Sequence, residues 1–286
     1  MLPLSTVNRS GATPNFPAMK YSYLELSKMI DHALLSPALT DQELEDGCRL
    51  AIRYQVASVC VKSYAVPHAS QILAQTNVLV SCVVGFPHGN TTTASKRYET
   101  EQACQNGAAE IDMVINVGKA LSGDWNYVEN EIRVVSDETH RHGAKIKVIL
   151  ETDYLAQGGA GLSAEQLKRN LCQISERAGA DWVKTSTGYG FVKQPDGNLR
   201  SIGATEQDLR LMRESVSERV QVKASGGIRD LDGLIQVRDL GATRCGTSAT
   251  AAILDEYHQR ELAVKTGQPA PPSLDPKGAS GSTADY

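Results

Sequence analysis

The sequence predicts an α/β protein that folds as a single (β/α)₈ TIM barrel. Short apolar runs alternate with longer amphipathic segments between residues 21 and 265, which is typical of strands and helices that build a parallel sheet. Eight such units can be counted, and glycine-alanine pairs precede several of the strands. Eight units form one barrel domain. The length of this region also fits, because such barrels occupy roughly 250 residues.

The strand and helix predictions follow from these runs. The predicted strands are Met29–His32, Val56–Val61, Leu79–Val84, Glu110–Ile115, Lys145–Leu150, Asp181–Lys184, Val220–Lys223 and Thr243–Gly246. The predicted helices are Asp41–Tyr54, Val66–Gln75, Thr93–Asn106, Trp125–His142, Ala164–Ala178, Thr205–Ser217, Leu231–Leu240 and one more after Ser248. Each strand is followed by a helix, as a barrel requires.

Recurring glycines mark where the helices stop. They begin the pairs Gly107-Ala108, Gly143-Ala144, Gly179-Ala180 and Gly241-Ala242. Glycine adopts the left-handed backbone of a helix C-terminus without steric cost, so each pair predicts a helix end before the next strand. An open doubly wound sheet is the rival fold, but no G-x-G-x-x-G turn follows the first strand.

The chain ends and the composition limit the function classes. Residues 1–20 and 266–286 are rich in turn-forming residues and are expected to be a flexible extension and a disordered tail. No apolar stretch is long enough to span a membrane. A net charge of −4 argues against a broad nucleic-acid-binding face, and six scattered cysteines favour the reducing cytoplasm.

Two lysines are predicted at the carboxyl ends of neighbouring strands, where barrel enzymes place their active sites. Lys184 closes the sixth strand and Lys223 closes the seventh. Each taken alone could extend its ammonium group to solvent. Together, partial burial and a second cation would lower a lysine pKa, and a neutral amine can attack a carbonyl carbon.

Two further charged residues lie within apolar strands. Asp112 interrupts the fourth strand and Lys147 the fifth, and strand alternation can turn both side chains inward. A structural ion pair is the plain explanation, and a proton relay next to the two strand-end lysines is the functional one. Four such residues on adjacent strands favour an active site.

Glycine turns follow the last two predicted strands, at Gly226-Gly227 and at Gly246-Thr247-Ser248. In barrels these two loops often bind phosphate through backbone N–H groups and a helix N-terminus. Ordinary turn formation is the alternative. The position after strands seven and eight favours a phosphorylated substrate.

These residues closely resemble the deoxyribose-phosphate aldolase family of class I aldolases, from about Ile30 to Leu254. The segments that carry the resemblance are Ile30-Asp31-His32, Val84-Gly85-Phe86-Pro87-His88-Gly89, Glu110-Ile111-Asp112-Met113-Val114-Ile115-Asn116, Lys147-Val148-Ile149-Leu150-Glu151-Thr152, Val183-Lys184-Thr185-Ser186-Thr187-Gly188 and Lys223-Ala224-Ser225-Gly226-Gly227-Ile228-Arg229. The resemblance implies reversible cleavage of 2-deoxy-D-ribose 5-phosphate into D-glyceraldehyde 3-phosphate and acetaldehyde, in deoxyribonucleotide catabolism, with no metal and no cofactor. Family members are commonly dimers, so a homodimer is expected.

The resemblance also implies residue roles. Lys184 would form the imine, Lys223 would lower its pKa and assist proton transfer, Asp112 would relay protons through a water, and Lys147 would support Asp112. Substrate binding would involve Asp31, Gly188, Gly226, Gly227 and Ser248.

The chain departs from the family pattern near the expected substrate site. The family usually has threonine and lysine within the stretch that reads here from Ala33 to Pro37, and often two serines where this chain has Ser248-Ala249. Two alternative functions therefore stay open: a Schiff-base aldolase for another sugar phosphate, and a non-catalytic sugar-phosphate-binding relative. The sequence assigns no catalytic role to Cys60, His32 or His88.

Overall fold

A computed structural model describes residues 19–193 and 197–266 and contains a closed barrel of eight parallel strands. The barrel strands are β1 (Ile30–Leu34), β2 (Ser58–Val61), β3 (Leu79–Val84), β4 (Glu110–Val114), β5 (Lys145–Ile149), β6 (Trp182–Lys184), β7 (Gln221–Ser225) and β8 (Ala242–Thr247). The predicted fold class and all eight predicted strands are confirmed, and no strand end differs from its prediction by more than two residues. The predicted flexible extension (1–20) and disordered tail (266–286) lie almost entirely outside the described ranges, so the domain boundaries stay predictions.

The eight predicted helices are also present. They are α1 (Asp41–Arg53), α2 (Val66–Leu73), α3 (Thr93–Gln105), α4 (Trp125–Arg141), α5 (Ala164–Arg177), α6 (Glu206–Ser215), α7 (Leu231–Asp239) and α8 (Thr250–Thr266). Reciprocal capping boxes begin two of them: Thr40 with Glu43 before α1, and Ser163 with Gln166 before α5. Such side chains satisfy backbone N–H groups that the first helical turn leaves without partners.

Four glycines end helices as the sequence predicts. Gly107, Gly143, Gly179 and Gly241 all have φ between +73° and +108°. This left-handed backbone reverses the chain and leads it back to the next strand.

Several short elements were absent from the prediction. They are the helices Tyr23–Ser27 and Val117–Leu121, a 3₁₀ turn at Ser63–Ala65, and a hairpin of Val192–Lys193 with Leu199–Arg200. Segments of two to five residues are too short to show a hydrophobic period. The hairpin matters most, because it lies in the long connection between β6 and α6.

The strand register brings the candidate residues together. Lys184 pairs in register with Lys223, and Asp112 pairs with Lys147. β1 pairs with β8 through Asp31 and Gly246, which closes the barrel. Residues in register on adjacent strands point to the same face, so these side chains share the barrel interior.

The apolar core lies between the strands and the surrounding helices. Alternate strand residues such as Ile111, Met113, Ile146 and Val148 are fully buried in this layer. Within the described residues, no helix is both long enough and apolar enough to cross a membrane.

Candidate active site

A cavity of about 560 Å³ opens at the carboxyl ends of the barrel strands. Seven of the nine predicted site residues line it: Asp31, Lys184, Gly188, Lys223, Gly226, Gly227 and Ser248. Asp112 and Lys147 are fully buried and belong to the layer beneath the cavity. The structure therefore brings all nine predicted residues to one end of the barrel.

Asp112 holds both predicted lysines: Lys184 ends β6 as predicted, whereas Lys223 lies two residues before the end of β7. The Nζ atoms of Lys184 and Lys223 each donate to Asp112 Oδ2 at 2.7 Å. The other carboxylate oxygen, Oδ1, accepts hydrogen bonds from Lys147 at 2.8 Å and from the Ser81 hydroxyl at 3.0 Å. A single buried carboxylate thus fixes the positions of three ammonium groups.

A second layer of ion pairs supports this arrangement from below. Arg244 contacts Asp31 Oδ1 at 2.5 Å and Glu110 Oε1 at 2.6 Å, and Glu110 also accepts from Lys147 at 2.6 Å. Asp31 Oδ2 accepts from Lys223 at 2.6 Å. The sequence prediction missed Glu110 and Arg244. Strand alternation was the available signal for Glu110, which lies two positions before Asp112 on β4, whereas Arg244 lies within β8, the strand that closes the barrel.

The charges in this cluster favour one neutral lysine. Four cationic side chains (Lys147, Lys184, Lys223 and Arg244) face three carboxylates (Asp31, Glu110 and Asp112). Buried charges are tolerated only when they are paired, so a neutral amine on one lysine balances the cluster.

Lys184 is the lysine best suited to be neutral. Burial lowers its pKa, Asp112 opposes this shift, and the Lys223 ammonium lowers the pKa further. Although burial opposes it, contacts with Asp112 and Asp31 raise the pKa of Lys223. Asp112, Asp31 and Glu110 likewise overcome burial and raise the pKa of Lys147. Among the described contacts, Lys184 pairs with one carboxylate, Lys223 pairs with two and Lys147 pairs with three.

The glycine turns that follow β6 and β7 also line the cavity. Gly188, Gly226 and Gly227 have φ between +85° and +92°, and all three line the cavity. Successive backbone N–H groups in such turns form concave anion sites. We call Gly188, Gly226, Gly227 and Ser248 the glycine rim.

The structure also shows where the remaining cysteine, histidines and family departures named in the sequence analysis lie. Cys60 lines the cavity, and burial raises the pKa of its thiol. The Nδ1 atom of His32 lies 2.9 Å from the Thr250 hydroxyl, and burial lowers the pKa of His32 to about 4. His88 is exposed. The departures Ala33 and Ser36 line the cavity as well.

Two buried acidic residues beyond β5, Glu151 and Asp153, were given no role in the sequence prediction. They contact the loop between β6 and α6. A charged pair directly after an apolar strand was the available signal. In the described part of the chain, no group of three His, Cys, Asp or Glu side chains is arranged to hold a metal ion.

The fold and this cluster define a class: a (β/α)₈-barrel aldolase with two lysines paired in register on adjacent strands. Comparison with known proteins gives the family. A model of the DeoC/LacD family aldolases matches residues 26–248, and the chain belongs to this family.

Relatives within the family are similar over most of their length. Deoxyribose-phosphate aldolase of Rhodopirellula baltica is 49% identical over 240 residues, which is 84% of this chain and 92% of that protein. The enzyme of the same name from Staphylococcus epidermidis is 43% identical over 80% of this chain and 94% of its own length.

Solved structures agree with the fold. An aldolase designated QR15 superposes with a TM-score of 0.74 at 35% identity and covers 84% of this chain and 99% of its own. Deoxyribose phosphate aldolase from Aeropyrum pernix, described as tetrameric, gives a TM-score of 0.71 at 28% identity over 83% of this chain and 92% of its own.

Proposed function

We propose that this chain is a deoxyribose-phosphate aldolase, which reversibly cleaves 2-deoxy-D-ribose 5-phosphate into D-glyceraldehyde 3-phosphate and acetaldehyde. The observation that carries the proposal is the cluster of Lys184, Lys223 and Asp112 next to a cavity that the glycine rim also lines. An amine nucleophile and an anion site therefore face the same space. Relatives at 40 to 49% identity carry the same activity in their names.

In the proposed reaction the neutral Lys184 amine attacks the aldehyde carbon, C1, of the open-chain sugar. Loss of water from the resulting carbinolamine gives a protonated imine, which withdraws electrons. Deprotonation of the C3 hydroxyl then breaks the C2–C3 bond and releases glyceraldehyde 3-phosphate. The remaining enamine is protonated at C2, and water hydrolyses the imine to release acetaldehyde and restore the amine.

The neighbouring residues supply proton transfer and charge. Lys223 keeps the pKa of Lys184 low and exchanges protons with the carbinolamine, and Asp112 relays protons through a water. Lys147 holds Asp112 in place from the opposite side. Asp31 fixes Lys223 from the edge of the cavity.

The glycine rim binds the substrate phosphate in this proposal. Its backbone N–H groups need no particular side chain, so the family's second serine can be replaced by Ala249 without loss of the anion site. The substituted stretch from Ala33 to Ser36 faces the same cavity, and it gives weight to a second candidate, cleavage of another sugar phosphate.

The test is cleavage of 2-deoxy-D-ribose 5-phosphate in the presence of EDTA, with the released glyceraldehyde 3-phosphate coupled to a dehydrogenase. Turnover that EDTA does not affect supports the proposal. Folded protein that cleaves a different sugar phosphate but not this one would establish the second candidate. Protein that binds sugar phosphate without any turnover would establish a non-catalytic relative.

The proposal includes a homodimer in the cytoplasm. All six cysteine thiols are free, which suits a reducing compartment. Light scattering coupled to gel filtration tests the dimer, and a monomeric mass would contradict it.

A further inference from the structure

Two carboxylates behind the cavity wall are used by no step of the proposed reaction. Glu151 and Asp153 follow β5, are 1% and 5% exposed, and do not line the cavity. A carboxylate buried this deeply requires hydrogen-bond partners. Both find them in the loop between β6 and α6.

Glu151 holds the first part of that loop. The Thr187 backbone N–H lies 3.3 Å from both carboxylate oxygens, and the Thr187 hydroxyl donates to Oε2. The next residue, Gly188, belongs to the glycine rim. The loop lies so close that a Cβ on Gly190 would come within 2.8 Å of the Glu151 carboxyl carbon. Glu151 itself has φ +56°, an unfavourable backbone conformation that its surroundings must maintain.

Asp153 holds the second part of the loop. It accepts from the Ser201 hydroxyl at 2.7 Å, from Ile202 N at 3.1 Å, and from Gly203 N at 3.2 Å with both oxygens. Gly203 packs directly on Gly226 of the glycine rim, because a Cβ on Gly203 would lie 2.6 Å from the Gly226 carbonyl. The adjacent Ala204 N–H donates to Gly226 O at 3.2 Å.

We infer that Glu151 and Asp153 are positioning residues that hold the two sides of the glycine rim at the spacing an anionic phosphate requires. Glu151 acts through Thr187 on Gly188, and Asp153 acts through Gly203 on Gly226. The inference rests on the proposed function, since it assigns these residues to binding of the substrate phosphate. It predicts an effect on phosphate affinity and little effect on the lysine chemistry.

The variants Glu151→Ala and Asp153→Ala test this inference by a separation of KM from kcat. Each should raise KM for 2-deoxy-D-ribose 5-phosphate about tenfold, because small misplacements of binding groups weaken contacts strongly. The kcat value should change by no more than about twofold. For unphosphorylated 2-deoxy-D-ribose, kcat/KM should stay within about twofold of wild type, since that sugar does not use the rim.

Conservative and control variants separate positioning from simple destabilisation. Glu151→Gln and Asp153→Asn keep an accepting oxygen. They should recover part of the preference for 2-deoxy-D-ribose 5-phosphate over unphosphorylated 2-deoxy-D-ribose. Burial raises the pKa of Glu151 to about 7, and Asp153 adds to the shift. The neutral amide of Glu151→Gln therefore resembles the protonated form of Glu151, which is populated near pH 7. Asp208→Ala is the matched control: Asp208 is 6% exposed and pairs with Lys168 at 2.5 Å between α5 and α6. It should lower Tm without changing the preference.

Calorimetric titration with inorganic phosphate makes the test independent of turnover. Wild type should bind phosphate, and the two alanine variants should bind about tenfold more weakly while retaining a cooperative thermal transition. If wild type binds phosphate in this way but does not cleave the sugar, the inference holds and the proposed function fails. Unchanged phosphate affinity and preference in folded variants would overturn the inference, as would wild type that binds no phosphate.

Discussion

The two sides of the cavity are built by different means. The lysine side consists of fixed, fully buried polar groups, in which Asp112 alone contacts the Nζ atoms of three lysines. The glycine rim offers backbone groups on turns with positive φ. A charge in the interior cannot be removed without leaving its partners buried and unpaired, whereas backbone donors survive most side-chain changes. The comparison teaches that the lysine side should respond to substitution by losing function outright and the rim by graded loss of affinity.

The largest expected effect is that of Lys184→Ala. It removes the nucleophile, so turnover of 2-deoxy-D-ribose 5-phosphate should fall to the assay background while the far-ultraviolet circular dichroism spectrum is unchanged. Lys184 is the neutral amine of the cluster, so its loss leaves the three carboxylates paired with Lys147, Lys223 and Arg244, and the fold should be kept. Turnover by Lys184→Ala at the wild-type rate would contradict the assigned role.

The variant Asp112→Asn tests the claim that one carboxylate organises the interior. The Lys147 and Lys223 ammonium groups would then contact a neutral amide, and we expect a loss of roughly 3 to 5 kcal/mol of unfolding free energy together with loss of turnover. Urea denaturation followed by fluorescence measures the first effect. Stability equal to that of wild type would show that the cluster does not depend on this charge.

The variant Lys223→Leu should shift the pH dependence of the reaction. The Lys223 ammonium lowers the pKa of Lys184, so its removal raises that pKa and leaves less neutral amine at pH 7. The acidic limb of the kcat/KM profile should therefore move to higher pH, and activity should recover in part as pH rises. Lys223→Arg keeps the positive charge and should leave the limb in place. An unchanged limb in Lys223→Leu would count against this electrostatic role.

Smaller effects are expected on the rim. In Gly226→Ala, the new Cβ would lie 2.8 Å from Gly203 Cα at a φ of +92°, so KM should rise about tenfold and stability fall by about 1 to 3 kcal/mol. Ser248→Ala keeps the backbone N–H and should raise KM only about twofold to fivefold. Steady-state kinetics compare the two, and a loss of kcat equal to that of the interior variants would remove the distinction between the two sides.

Much of this architecture could be predicted from the sequence because it depends on local patterns. Apolar runs located all eight strands, and glycine pairs such as Gly107-Ala108 located helix ends. Strand-end position selected Lys184 and Lys223 as neighbours. The register in the structure pairs them directly.

The rest depends on contacts between distant segments. Arg244 and Glu110 are 134 positions apart and meet only because β8 and β4 close the same barrel. Likewise, nothing near Asp153 in the sequence indicates that it binds Gly203. The hairpin that adjoins the cavity is too short to produce a periodic signal.

Borohydride reduction in the presence of acetaldehyde tests the central claim most directly. A Schiff base on Lys184 should be reduced to a stable N-ethyl lysine, and peptide mass spectrometry should find that modification on Lys184 in wild type and nowhere in Lys184→Ala. Modification of Lys223 instead, or no modification of wild type that cleaves the substrate, would contradict the account.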